Sequence, residues 1–276
     1  MEPPIDPAAL STRLAFAAQI AAEAGRRVLA LRASGRWTDA AVLGDVGDQA
    51  ADGYLQGALL GRYPDDGILS EETADSPERR SKRLVWIVDP LDGTKEYRSG
   101  RLDWAVHVGL CLDGRPVLGA VALPAVARVL VGTCAPGTAQ AQVLGTEGDA
   151  PRNLAGQSPV GGPLRMMVSR SHTPDWIHAF GRALGATTLV PCGSVGFKVA
   201  QLLFGAADVY VHKQGLKEWD TCAPEAIARA AGWRVCRIDG SDQHYNQADP
   251  RNDEIVVCRP HLFERVMAAL RESAPA

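Results

Sequence analysis

The chain has no Cys-x-x-Cys pair and no histidine at zinc-ligand spacing among its six cysteines, at positions 111, 134, 192, 222, 236 and 258. Zinc ribbons and thioredoxin-like redox motifs are thereby excluded, and reduced thiols inside a cell account for these residues best. A basic excess is lacking as well, since 29 Lys and Arg stand against 32 Asp and Glu, a net charge of −3. A surface for nucleic-acid polymers would be strongly basic, so that partner is excluded while a small nucleotide stays compatible. No apolar run approaches the ~18 residues of a membrane span, and the start, Met1-Glu2-Pro3-Pro4-Ile5-Asp6, lacks the basic and apolar regions of a secretory signal. A cytoplasmic protein with no membrane partner is expected. Repeats and low-complexity tracts are absent too, and 46 % hydrophobic residues over 276 positions suffice for one large or two modest cores.

What is present is an α/β pattern. Leu10, Leu14, Ala17, Ala21, Ala24, Val28 and Leu31 recur at alternating four and three, predicting an amphipathic helix, and a second helix is predicted from Asp48 to Leu60. Strands follow at 68–70, 84–89, 104–111, 117–123 and 128–132, with Asp113-Gly114 as a hairpin signal. Gly, Ala and Pro crowd the stretch from Thr133 to Pro163, which predicts an irregular connection and a domain boundary. Beyond it, strands at 166–169, 187–190, 207–212, 233–238 and 254–258 alternate with helices at 174–184, 196–204, 221–231 and 260–272. The expectation is an α+β domain over 1–150 followed by an α/β domain over 160–276.

The chemistry gathers in Trp86-Ile87-Val88-Asp89-Pro90-Leu91-Asp92-Gly93-Thr94-Lys95-Glu96-Tyr97. The apolar run from Leu84 to Val88 reads as a buried strand, and Pro90, which has no N–H, is expected to stop its ladder just after Asp89. Two carboxylates at the edge of a core repel each other unless a cation sits between them, and hard divalent cations take such oxygen ligands. Ile68-Leu69-Ser70-Glu71-Glu72 is a second strand ending in acid, and Asp220 stands where a helix should begin. Taken singly, Glu71-Glu72 suits a solvated turn and Asp220 an N-cap. Three distant segments that each deliver acid at an element boundary point instead to a magnesium site.

Asp89-Pro90-Leu91-Asp92-Gly93-Thr94, preceded by Ser70-Glu71-Glu72 and followed by Trp219-Asp220, resembles the magnesium-dependent, lithium-sensitive inositol monophosphatase superfamily. Within it the chain is similar to the bisphosphate nucleotidases of the CysQ type, which remove the 3′-phosphate of adenosine 3′,5′-bisphosphate and support sulfur assimilation. Val168-Ser169-Arg170-Ser171-His172, Gly196-Phe197-Lys198 and Trp219-Asp220-Thr221-Cys222-Ala223-Pro224-Glu225 carry that closer likeness. It implies a five-layer αβαβα sandwich and conversion of the bisphosphate, or its sulfated relative, to the 5′-nucleotide plus phosphate.

The resemblance also implies roles. Glu71, Asp89 and the Leu91 carbonyl would hold one magnesium, and Asp89, Asp92 and Asp220 a second, the two ions ~3.5–4 Å apart and flanking the phosphate. Thr94 with Glu71 would orient and deprotonate the attacking water, while the Gly93 and Thr94 amides would hold phosphate oxygens. Asp48 would reach a third, weakly held magnesium through water, although Asp45 replaces the hydroxyl residue of the family's Thr-x-x-Asp. An acid favoured by the helix N-terminus is an equal reading of Asp48. Ser169, Arg170, Ser171, His172, Lys198 and Asp220 would contact substrate, with Arg170 gripping a second phosphate bidentately and Lys198 adding a point charge. Arg170 and Lys198 alone would suit solvated charges, and His172 a structural role. A homodimer stays open.

Rival readings separate on particular residues. Inositol monophosphatases and fructose bisphosphatases share the metal chemistry but not the segments at Ser169–His172 and Gly196–Lys198. Aspartyl-phosphatases need Asp-x-Asp, whereas two residues separate Asp89 from Asp92. A silent regulator that binds a phosphorylated ligand should have lost a metal ligand, yet Glu71, Asp89, Asp92, Thr94 and Asp220 are all present.

Overall fold

A computed structural model describes residues 5–145, 149–156, 162–171 and 173–273. Helix α1 (Pro7–Ala33) starts where its sequence dictates, with Pro7 in the first turn and the Asp6 carboxylate accepting from the Ala9 amide at 3.0 Å. Helix α2 (Ala40–Arg62) is capped by Asp39, which accepts from the Ala41 and Val42 amides. It therefore begins at Ala40 rather than at the expected Asp48. Gly44 and Gly47 lower helix propensity and hide the early turns from a reading by periodicity. Asp48 consequently lies well inside the helix, which corrects its reading as a helix N-terminal acid.

The chain continues as β1 (Gly67–Ser70), β2 (Leu84–Asp92), α3 (Thr94–Arg98), β3 (Ala105–Leu112), β4 (Arg115–Leu123), β5 (Arg128–Thr133), β6 (Gln140–Gly145) and β7 (Arg152–Asn153). These strands form one sheet in sequence order, antiparallel except for the β1–β2 pair. Strands β6 and β7 occupy the stretch expected to be irregular. In β6 only Ala141 and Val143 are buried, alternating with the exposed Gln140 and Gln142, so the period-two signal is too short to stand out among Gly and Ala. Strand β2 also departs from expectation by running on through Pro90 to Asp92. Its pairing with β3 slips between Asp89 and Asp92, and the proline with its missing donor is absorbed in this bulge.

The remainder is β8 (Leu164–Ser169), α4 (Asp175–Leu184), β9 (Ala186–Cys192), α5 (Val195–Leu203), β10 (Val209–His212), α6 (Glu218–Ala230), β11 (Arg234–Cys236), β12 (Ile255–Cys258) and α7 (Phe263–Glu272). The second sheet has the order β11-β12-β10-β8-β9. Consecutive residues of β8 go to different cores, Met167 to one and Met166 and Val168 to the other, as the two-residue period of a doubly covered strand requires. Helices α1 and α2 cover one face of the first sheet, α5 and α6 lie between the sheets, and α4 and α7 cover the far face of the second. This is the αβαβα sandwich that the resemblance implies.

Two adjustments bring the second half of the chain onto the first sheet. Helix α6 approaches β4 so closely that a Cβ on Gly119 would stand 2.3 Å from the Ala223 carbonyl oxygen. The same helix begins at Glu218, ahead of the expected 221, so Asp220 falls inside its first turn. There the Asp220 carboxylate accepts from the Lys217 amide at 2.6 Å.

Candidate active site

The bulge in β2 decides where the acids point. Residues three apart on a regular strand face opposite sides of a sheet, whereas the slip between Asp89 and Asp92 lets both carboxylates converge. Asp220 joins them from α6, and one oxygen from each of Asp89, Asp92 and Asp220 lies within 4.8 Å of the others. Ser70 pairs beside Val88 in the β1–β2 register, so Glu71 emerges next to Asp89.

Crowding shows in the proton affinities. Burial, then the charges of Glu71, Asp92 and Asp220, raises Asp89 well above the usual carboxylate range. Partial desolvation by surrounding protein, followed by Asp220 and Glu72, lifts Glu71 to about 7, and burial followed by Asp92 lifts Asp220 to about 7. Asp48 is pushed to about 8 by burial, Glu72 and Glu71. An all-oxygen donor set under mutual repulsion is what a hard divalent cation relieves, and the ligands release their protons as it binds. The residues present therefore fit such an ion.

Asp92 behaves differently because its charge is already matched. Burial acts to raise it, but His107, Ser194 and Gly196 together hold it below the usual range. Its Oδ2 accepts from Ser194 Oγ at 2.5 Å and from the Gly196 amide at 2.8 Å, and His107 Nε2 lies 3.0 Å away at ion-pair distance. His107 is fully buried in β3, and its Nδ1 lies 3.1 Å from the Trp219 carbonyl, one residue before Asp220. Burial lowers the proton affinity of this imidazole, yet Asp92 outweighs it and the net shift is upward. Ser194 caps α5 at a positive φ of 50°, a strained setting for a residue with a Cβ, and this aims its hydroxyl at Asp92.

Around the cluster, Thr94 Oγ1 donates to the Leu91 carbonyl at 3.0 Å and lies 3.5 Å from Asp48 Oδ1. Gly93 precedes α3 with a φ of 92°, a left-handed conformation open to glycine at no steric cost, and it turns the chain from the acids into the helix. A cavity of ≈ 310 Å³ is lined by Asp92, Gly93, Ser169, Arg170, Ser171 and Lys198 together with other residues of both halves. Asp92 belongs both to this cavity and to the cluster with Asp89 and Asp220, so the acids adjoin Ser169, Arg170, Ser171 and Lys198. His172 lies outside the described residues.

Within the cavity the cations are held in different ways. Arg170 lines the cavity with both terminal nitrogens engaged, one paired with Asp103 and the other donating to the Pro191 carbonyl at 3.0 Å. Lys198 is buried, donates to the Ser194 carbonyl at 3.2 Å and faces the Tyr210 ring at 5.3 Å. Burial lowers its proton affinity, opposed chiefly by Asp92. Ser171 lies 3.4 Å from Glu96. Ser169 and His212 also line a second cavity of ≈ 320 Å³ walled by Pro174, Trp176, Ile177 and Val211.

His107, Ser194, Asp103 and the Trp176 wall were not anticipated from sequence. Only His107 leaves a trace there, as one polar residue inside the apolar run Val106-His107-Val108. The others are placed by long-range packing.

The model of the inositol monophosphatase family matches residues 9–274. The 3′-phosphoadenosine 5′-phosphate phosphatase of Mycobacterium tuberculosis (strain CDC 1551 / Oshkosh) is 37 % identical over 257 residues, covering 91 % of this chain and 90 % of that protein. Its namesake from Mycobacterium leprae (strain TN) is 35 % identical over 271 residues, covering 95 % and 94 %. Among solved structures, CysQ from Bacteroides thetaiotaomicron, a bacterial member of the inositol monophosphatase family, superposes with a TM-score of 0.77 at 26 % identity, covering 90 % of this chain and 97 % of that one. The match over nearly the whole length, with the β2 acids and Asp220 in one cluster, makes this chain a member of the inositol monophosphatase family.

Proposed function

We propose that this protein is a magnesium-dependent phosphatase that removes the 3′-phosphate of adenosine 3′,5′-bisphosphate, and of its sulfated relative, in support of sulfur assimilation. The observation that carries the reading is the cavity in which Arg170, Ser171 and Lys198 stand beside Asp92 and Gly93. An acid cluster alone suits any phosphate monoester, whereas cations next to it suit a substrate with a second anionic group. The adjoining cavity with the Trp176 ring offers an apolar wall for a base, which an inositol phosphate lacks. Relatives named for this activity at 35–37 % identity support the same choice.

In this reading Glu71, Asp89 and the Leu91 carbonyl hold one magnesium and Asp89, Asp92 and Asp220 another, with Asp48 nearest to a third. When bound, such ions neutralise the phosphate and acidify a nearby water. Thr94 and Glu71 orient the attacking water and accept its proton, while Asp48 beside Thr94 fixes the hydroxyl. The Gly93 and Thr94 amides and the Ser169–Ser171 segment, with His172, hold the reacting phosphate and its neighbour. Water oxygen bonds to phosphorus as the bond to the 3′-oxygen breaks, and the leaving oxygen takes up a proton to become the 3′-hydroxyl.

The test is a phosphate-release panel at fixed magnesium over the bisphosphate, its sulfated relative, inositol 1-phosphate and fructose 1,6-bisphosphate, for the wild type, Arg170→Ala and Lys198→Met. Each variant should raise KM for the bisphosphate and lower its kcat/KM roughly ten- to a hundredfold, with little change on inositol 1-phosphate. Equal losses on both substrates, or a wild-type preference for inositol 1-phosphate, would overturn the nucleotide reading.

A further inference from the structure

The acid Glu71 follows a four-residue strand at the edge of the first sheet. Strand β1 ends at Ser70, and Glu71 and Glu72 follow on an exposed bend. Something must hold this bend in place without contributing to the cluster itself.

Asp52 meets that need. It is buried on α2, one helical turn after Asp48, so both side chains lie on one face of the helix. Its two oxygens are divided between the two ends of the bend: Oδ1 accepts from Ser70 Oγ at 2.5 Å and Oδ2 from Thr73 Oγ1 at 2.6 Å. Ser70 and Thr73 bracket Glu71 and Glu72, so one carboxylate fixes both flanks of the segment to the helix that carries Asp48. Asp52 faces α2 and the bend rather than joining Asp89, Asp92 and Asp220.

We infer that Asp52 is a positioning residue, a clamp that sets where Glu71 stands relative to Asp48 and the acids of β2. The inference rests on the functional reading above in giving Glu71 a place at the metal. Partners that hydrogen-bond metal ligands typically change metal affinity or activity 10–100-fold when removed, and Asp52 acts one residue further out, by ordering both flanks of Glu71 before an ion binds. A clamp of this kind acts on the placement of one ligand and leaves the nucleotide cavity alone. Turnover and magnesium affinity should therefore fall while KM for the nucleotide holds.

Three variants test this: Asp52→Ala, Thr73→Val at the exposed end of the bend, and the two combined. Magnesium binding is read without substrate, from the rise in melting temperature as magnesium is titrated into chelated protein, and kcat and KM are read separately. Asp52→Ala should weaken magnesium roughly tenfold or more and lower kcat ~10–100-fold with KM within about twofold. Thr73→Val should show a smaller loss of the same kind, and the double variant should be no worse than Asp52→Ala, since Asp52→Ala already removes the bond to Thr73. Wild-type magnesium affinity and kcat in both single variants would overturn the clamp, as would additive losses in the double variant. Should Asp52→Ala fail to fold, Thr73→Val alone carries the decision. If the wild type leaves the bisphosphate intact, the functional reading fails, while the magnesium titration still decides whether Asp52 holds the bend.

Discussion

At the scale of single residues, the acids of the site divide by how their charge is matched. Asp92 has two hydrogen-bond donors and the His107 imidazole at ion-pair distance on one oxygen, which hold it in the charged form, whereas Asp89 has a backbone amide at 3.0 Å and acids around it. Asp89 thus depends most on an ion for its charged form. Replacing it with asparagine removes a charge from between the two proposed ions and should lower turnover by at least ~10²-fold, the scale of losing one preorganised electrostatic element. Thr94→Ala leaves the acids intact and removes only the hydroxyl shared between Leu91 and Asp48, so it should lower kcat while KM changes little. Steady-state kinetics at saturating magnesium check both, and near-normal turnover in either variant would contradict this placement of the chemistry.

At the scale of elements, the site depends on how closely α6 lies against the first sheet. A Cβ at Gly119 would meet backbone, the Ala223 carbonyl at 2.3 Å, and backbone cannot step aside as a flexible side chain can. Gly119→Ala should therefore destabilise by roughly 1–3 kcal/mol, as overpacking does, and lower Tm by several degrees. Because α6 carries Asp220, magnesium affinity should drop with it. An unchanged Tm in a calorimetric scan would show that the helix has room to move. The limits of the sequence lie at this same scale. Glu71, Asp89 and Asp92 were legible because they follow short apolar strand runs, and Asp220 because it stands where a helix should begin. The bulge that makes Asp89 and Asp92 converge was not, since Pro90 reads as a stop unless the β3 partner strand is in view. Strand β6 and the start of α2 were hidden by glycine and alanine, whose burial is decided by neighbours rather than by their own hydrophobicity. Asp52, His107 and Asp103 act through partners distant in the chain, and spacing alone cannot pair them.

At the scale of the whole molecule, the acid cluster makes stability depend on pH and on magnesium together. Glu71 and Asp220 are raised to about 7 and Asp48 to about 8, from ordinary values of 4.5, 3.8 and 3.8. Between roughly pH 4 and pH 8 the metal-free folded state thus holds protons that the unfolded chain has released, and stability must fall as pH rises through that window. The contribution is full below the unfolded values and lost above the folded ones. Glu218, raised to about 7 by burial, adds to the trend without belonging to the cluster, and the lowered Asp92 acts below the window. Magnesium needs the cluster deprotonated, so its stabilising increment should grow from pH 6 to pH 8. Melting temperatures across pH 5–8.5, in chelator and in excess magnesium, test this. A metal-free Tm that rises with pH, or an increment that shrinks, would contradict it.

The central claim is that one acid cluster, with a cation bound, cleaves a 3′-phosphate. The most direct measurement follows phosphate release from adenosine 3′,5′-bisphosphate in magnesium and in excess EDTA, with chromatographic identification of the nucleotide formed. The expected result is adenosine 5′-monophosphate and phosphate in equal amounts, stopped by EDTA and restored by magnesium. Undiminished turnover in EDTA, or adenosine 3′-monophosphate as the product, would contradict it.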